Sequence, residues 1–286
     1  MKKKKTYYRC HFCGAIVEDT GYFCCDDQKL SIGKCTDCKI IQQTDFLHVN
    51  LDYYRSTSYA NKDINQIRDR ERDWNRKRVE KIYKLIPGIQ DKKILDYGCG
   101  PGGFLEAAQP VFTDLYGFDL NSKYCKIHNR MGWKCYSSLE LIPKDINVIT
   151  LFHVLEHVKK PWALLNDLSL QFPECEYYVI EVPNTTEALM GYFRIEAYAK
   201  NHYNREHIWY FSNETLEKVI KRAGLKTVVN TQLQRYSLAN HLGWLKDGKG
   251  GGQYIWEEFN EYELNRLYEK VLCSNSLGDS VFIIAK

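Results

Sequence analysis

The sequence predicts an α/β protein built on a mostly parallel sheet with helices on both faces, with a small cysteine-rich unit in front. Three observations carry this. From residue 92 onward short apolar runs alternate with longer helical segments, the pattern of strands joined by crossover helices. The stretch Lys92–Ala107, KKILDYGCGPGGFLEA, reads as a buried strand, a glycine-rich turn and a helix opening after Pro101. Two Cys-x-x-Cys pairs lie within the first 38 residues.

A chain of 286 residues allows one large domain, or one of ordinary size with attachments. Hydrophobic content of 44% and charged content of 27% suit a globular protein that buries a core without staples. Forty basic against thirty-six acidic residues leave +4, too balanced to argue for nucleic acid. Four lysines follow Met1, but TYYRCHFCGAIVEDT supplies no apolar core for a signal peptide. No run approaches the length needed to cross a bilayer. Of eleven cysteines, six fall in the first 38 residues. Without an export signal, a reducing cytoplasmic compartment is expected, and there clustered cysteines favour metal.

Residues 1–50 form the first expected unit. Cys10-x-x-Cys13 and Cys35-x-x-Cys38 are separated by 21 residues, which a small β hairpin spans. Paired thiolates on tight turns suit tetrahedral zinc, and four of them close its coordination sphere, so the expected zinc is structural. Cys24 and Cys25 are adjacent and cannot both join one site, though one of them, or His11, could replace a knuckle cysteine. Residues 51–90 read as a helical linker or lid. Within it RDRERDWNRKR interleaves acids and bases, the pattern of a solvated helix face. Val79, Ile82, Tyr83, Leu85 and Ile86 give the apolar stripe that docks on the sheet, and Pro87-Gly88 ends the helix.

Residues 91–286 hold the main domain. Strands are expected near 93–97, 115–119, 134–136, 146–151, 176–182, 226–233 and 280–285, seven in all. Ligands in such sheets bind at the carboxyl ends of the strands by the switch point, which places Asp96, Asp119, Phe152 and His153 on one rim. Residues 235–279 are an insertion, with DGKGGG at 247–252 read as a lid or linker before a helix over 257–272.

Gly98-x-Gly100-x-x-Gly103 satisfies the dinucleotide fingerprint, with Asp119 near the expected acidic position, so a dehydrogenase is one reading. Asp96 and the D-x-G-x-G-x-G-G spelling instead resemble motif I of the class I S-adenosylmethionine (SAM)-dependent methyltransferases. LYGFDLN, ending the second strand at Asp119, INVITLFHVLEHV at 146–158 and EHIWYFSNETLEKVIKRAGLK at 206–226 follow in that family's order. The resemblance covers residues 75–235 and the last strand. It implies a Rossmann-like, seven-stranded, mostly parallel sheet whose final strand is antiparallel. It also implies SAM held by Asp96, Gly98, Gly100, Gly102, Gly103, Asp119, Leu120, Phe152 and His153, with Asp119 on both ribose hydroxyls. KCTDCKIIQQTDFLHVNLDYYRSTSY resembles a zinc-ribbon-bearing group found among glycan- and deoxysugar-modifying methyltransferases. There one of Tyr53, Tyr54 and Tyr59, here Tyr59, closes over the cofactor; the alternative is that the tyrosines pack the ribbon on the main domain.

Methyl transfer to a hydroxyl needs in-line alignment and a proton acceptor. Histidines are the candidate bases. His207 falls, by the resemblance, at a position after the fifth strand that faces the acceptor; His153 directly follows the fourth strand. His157 reads as a structural hydrogen-bonding residue. Glu156-His157 resembles a divalent-ion pair of some small-molecule O-methyltransferases, with a supporting or capping role as the preferred reading. FHVLEHV departs from the spelling used on nucleobase amines. The expected acceptor is a small molecule, a sugar, nucleotide sugar or glycan. An RNA methyltransferase gripping RNA through the ribbon is the alternative, and a non-catalytic interaction protein on the same scaffold is the second.

Overall fold

A computed structural model describes residues 8–50, 55 and 63–286. Tyr53, Tyr54 and Tyr59 lie outside the described residues. The chain makes two sheets. One has seven strands in the order β11-β12-β9-β8-β5-β6-β7, the other five in the order β1-β2-β3-β4-β10. Two compact units share the chain: Met1–His48, Leu155–Trp162 and Val182–Ile283 make one, and Val49–Val154, Ala163–Glu181 and Ile284–Lys286 the other.

In the second unit, helix α1 (Ile64–Leu85) starts at Asp63, whose carboxylate caps the Asn65 N–H at 2.9 Å, and ends at Ile86 before the proline. Strand β5 (Lys93–Tyr97) pairs in parallel with β6 (Asp114–Phe118) on one side and β8 (Val148–Phe152) on the other. Strands β7 (Lys134–Tyr136) and β9 (Tyr177–Pro183) extend the sheet outward, again in parallel. All five residues of β8 are buried, so this central strand reads as a continuous apolar run, as a strand covered on both faces should. Helices α2 (Gly103–Ala108), α3 (Ser122–Arg130) and α4 (Pro161–Gln171) provide the crossovers. Strand order reverses at β5, the switch point beside whose strand ends ligands bind in sheets of this kind.

The charged run on α1 presents Asp69, Arg70, Arg72, Asp73 and Arg76 to solvent as expected, but Arg68, Asn75 and Arg78 are buried with Ile67, Val79 and Ile82. They share one helical stripe, and their polar groups are met by partners described below.

In the first unit, the antiparallel sheet takes β1 (Tyr8–Arg9), β2 (Ile16–Phe23), β3 (Ser31–Cys35) and β4 (Ile41–Gln43) from the N-terminal segment and β10 (Trp209–Tyr210) from far along the chain. Helix α5 (Glu196–His202) precedes β10. Helix α6 (Asn213–Arg222) follows it behind a Ser212–Thr215 capping box and leads to β11 (Thr227–Leu233). The insertion at 235–279 is helical on both sides of the glycine-rich turn. It holds α7 (Leu238–Asp247), closed by Gly248 at φ +64°, and α8, which begins at Tyr262 rather than 257 and runs to Ser274. Gly252 packs on α7: a Cβ there would sit 1.9 Å from the Ala239 carbonyl, so this position admits no side chain. β12 (Ser280–Ala285) ends the chain's core, buried throughout.

Candidate active site

In the second unit Asp96, the last residue but one of β5, is 3% exposed and accepts a hydrogen bond from Thr150 Oγ1 on β8 at 2.8 Å. Burial pushes its carboxyl up to about 7, against the opposing pull of Thr150 and the Arg78 charge. The turn then runs through Gly98, Gly100 and Gly102, all at positive φ. A Cβ on Gly98 would lie 2.8 Å from Val154 Cγ2, and one on Gly103 would lie 2.5 Å from Asn75 Nδ2. At Gly100 a Cβ would meet nothing closer than the Gly98 carbonyl at 4.0 Å. The loop is therefore packed at Gly98 and Gly103 and open at Gly100, the face a ligand could approach closely.

Asp119 stands at the end of β6. Its Oδ2 accepts from the Gly100 N–H at 2.8 Å and its Oδ1 from the Asn121 N–H at 2.7 Å. Each oxygen can accept a further bond, so the carboxylate is pre-oriented for a vicinal diol. Leu120 beside it is half-buried. Phe152, at the end of β8, packs edge-on to Phe104, and the Arg78 guanidinium lies 4.6 Å from its ring centre. His153 takes the left-handed backbone at φ +56°, unusual for a side-chain-bearing residue. Two bonds hold it there: its N–H donates to the Glu181 carbonyl at 2.8 Å, and its Nε2–H donates to Glu181 Oε1 at 3.1 Å. Asp96, Gly98, Gly100, Gly102, Gly103, Asp119, Leu120, Phe152 and His153 thus all come from the ends of β5, β6 and β8 in one unit.

In the first unit Cys10, Cys13, Cys35 and Cys38 converge, with their four sulfurs within 4.8 Å of one another. Cys10 and Cys38 sulfurs are 3.6 Å apart, and those of Cys13 and Cys35 3.4 Å. Ligands at about 2.3 Å around a tetrahedral zinc would stand roughly 3.8 Å apart, so the quartet fits such an ion after small shifts. The hydrogen bond from the neighbouring Cys38 thiol lowers the Cys10 pKa. The possible substitutes are excluded from this quartet. Cys24 is buried elsewhere, accepting from Gln43 Nε2, Cys25 contacts the Asn201 carbonyl, and His11 stacks on Phe46 at 4.0 Å.

The same unit gathers Glu156, His157 and His207, with one donor atom from each lying within 4.8 Å of the others. The His157 Nδ1–H donates to the Glu206 carbonyl at 2.9 Å. The His207 N–H bonds Asn204 Oδ1, its carbonyl accepts from Gln43 Nε2, and its ring meets that of His157 edge-on at 4.8 Å. A carboxylate and two imidazoles can orient a proton acceptor or ligate a divalent cation.

Sequence reasoning passed over Arg78 and Glu181. Glu181 lies inside an apolar strand and Arg78 inside a charged helix, 103 positions apart, so neither pattern pointed to the other.

A family model described as "Methyltransferase domain" matches residues 67–230. Ubiquinone biosynthesis O-methyltransferase of Bordetella avium is 31% identical over 95 residues, covering 29% of this chain and 39% of that protein. Its namesake from Nitrosomonas europaea is 27% identical over 99 residues, covering 31% and 42%. The chain thus spans about two fifths of the length of the curated relatives it matches. Among solved structures, the complex between the Haloferax volcanii Trm112 methyltransferase activator and a methyltransferase aligns with TM-score 0.54 at 11% identity, covering 84% of this chain and 98% of that one, a likeness of fold. With a family model spanning more than half its length, the chain belongs to the methyltransferase-domain family and has the Rossmann-like class I fold.

Proposed function

We propose that this protein transfers a methyl group from SAM to a small-molecule acceptor, a hydroxyl or carbon of a sugar, nucleotide sugar or glycan. The observation that carries the cofactor is the Gly100–Asp119 pair: an open glycine face beside a carboxylate already oriented by two backbone N–H groups. When bound, SAM supplies an electrophilic methyl on a sulfonium. The chain's part is to fix the donor, align the acceptor and take its proton. The sugar class rests on the resemblance of the ribbon and the tyrosine segment that follows it. The four-cysteine cluster holds a structural zinc, a site suited to the reducing cytoplasm. Among the described residues no helix is long and apolar enough to cross a membrane.

His207 is the proposed acceptor-side base, with Glu156 and His157 beside it to stabilise the imidazolium that forms. His153, tied to Glu181, is the competing candidate. A second reading of Glu156, His157 and His207 as a divalent-cation site is favoured by their converging donor atoms. SAM turnover against a panel of nucleotide sugars and phenolic hydroxyl compounds, with and without EDTA, tests acceptor and metal together. Turnover on phenols alone overturns the sugar assignment. With the true acceptor in hand, His207→Gln should lower single-turnover rate at least about a hundredfold and leave cofactor affinity nearly unchanged. Loss in His153→Gln instead reverses the assignment. Tight, salt-sensitive retention of RNA on filters would favour the RNA reading.

A further inference from the structure

Gly102 lacks a side chain for a reason internal to the protein. A Cβ there would lie 2.7 Å from His128 Cε1 and 2.9 Å from Trp133 Cζ3. The glycine loop therefore has an open face at Gly100 and a packed face at Gly102, and on the packed side its carbonyls are gripped. His128, at the end of α3, donates from Nε2–H to the Gly100 carbonyl at 2.8 Å. Arg68, in the first turns of α1, donates from Nε to the Pro101 carbonyl at 2.6 Å. A third bond closes the arrangement, from Arg68 Nη2 to His128 Nδ1 at 3.1 Å.

The protons follow from chemistry. A carbonyl only accepts, so Nε2 carries the hydrogen; a guanidinium only donates, so Nδ1 carries the lone pair. His128 is thus a single neutral tautomer. Burial, against the opposing pull of the Gly100 hydrogen bond and with the help of the Arg68 charge, pushes its pKa down. Both side chains are almost fully buried, and the Arg68 guanidinium also lies 4.7 Å from the Trp133 ring centre. The loop is bolted to two separate helices.

We propose that Arg68 and His128 are positioning residues for cofactor binding, a clamp that draws the Gly100 and Pro101 carbonyls inward and presents the Gly100 face in one conformation. The proposal rests on the reading of this loop as the SAM cradle. Gly100 and Gly102 sit at φ +46° and +84°, in a segment whose glycines would otherwise sample many conformations. Holding the loop in place beforehand removes that ordering cost from binding.

The test measures SAM and S-adenosylhomocysteine affinity by calorimetry, with melting of the ligand-free protein alongside, for the whole chain and three variants. His128→Phe keeps a ring but loses both bonds, and should weaken both ligands about tenfold or more. His128→Gln can still donate to the carbonyl and accept from Arg68, and should stay within about threefold of the parent. Arg68→Lys cannot make both of its bonds at once and should fall between them, near fivefold. A simple packing role would be served better by Phe than by Gln, so the reverse order overturns the clamp. So does His128→Phe binding within about threefold of the parent while melting normally. If His128→Phe does not fold, Arg68→Lys decides: unchanged affinity overturns the clamp and a severalfold loss supports it. A parent protein that binds neither ligand overturns the cofactor reading and the clamp with it.

Discussion

Arg78 and Glu181 form a two-pronged ion pair, Nε to Oε2 at 2.7 Å and Nη2 to Oε1 at 3.0 Å, with the two side chains 8% and 0% exposed. Around it the network is complete. Arg78 Nη1 donates to Asn75 Oδ1 at 2.8 Å, Asn75 Nδ2 donates to the Glu71 carbonyl, and His153 donates to the same carboxylate. The pair ties α1 to β9 directly behind the residues that end β8. A buried pair of this kind contributes modestly as a whole, but losing one partner strands the other charge.

Arg78→Met should therefore destabilise the protein by about 3–5 kcal/mol, and Arg78→Met with Glu181→Leu by much less. Burial pushes the Glu181 carboxyl up, but Arg78 and His153 outweigh it and hold it well below the usual carboxylate range. A depressed pKa means that this stabilisation is complete above the unfolded value of about 4.3 and is lost as the pH falls through the folded one. Urea melts of both variants at neutral pH check the first point. A single variant as stable as the parent would make the pair a bystander.

Asp119→Ala should weaken SAM and S-adenosylhomocysteine alike, by about 1.5–3 kcal/mol, because a charged acceptor to two hydroxyls is removed. The Gly100 N–H also loses its partner, so the loss should exceed that of Asp119→Asn, which keeps one acceptor. Calorimetry on both ligands measures this, and unchanged affinity would falsify the ribose role.

Asp96 gives a pH signature of opposite sign to Glu181. With its pKa raised to about 7 by burial, its contribution to ligand-free stability is present below the unfolded value of about 3.9 and declines as pH rises through about 7. Asp96→Asn should abolish that decline and be the more stable protein at pH 8. Cationic SAM favours the ionised carboxylate, so parent affinity should rise about tenfold between pH 6 and 8 while the variant's stays flat. A flat parent profile sinks this.

Metal analysis of purified protein should find about one zinc held by Cys10, Cys13, Cys35 and Cys38. Cys35→Ser should lower the melting temperature far more than it changes cofactor affinity, since the metal's binding energy is folding energy for its own unit. Four freely titratable thiols and no metal would remove the site.

Much of this was legible in the chain because it is local. The strand–turn–helix at Asp96–Gly103, the acidic end of β6 and the two Cys-x-x-Cys turns are each written within a few residues, where backbone sterics and ligand spacing act directly. Alternation of apolar runs with helical segments likewise determined the sheet and its strands. What only the tertiary structure decided are the partners of buried charge. RDRERDWNRKR reads as a solvated face by composition. Yet Arg68, Asn75 and Arg78 point inward, because Pro101, His128 and Glu181 wait on other elements to receive them. In the same way Glu156 and His157 met His207 only through folding, some fifty positions on. Hydrophobic periodicity records which face of a helix is apolar, but a polar group is buried when its hydrogen bonds are met, and those partners are set by contacts distant in sequence.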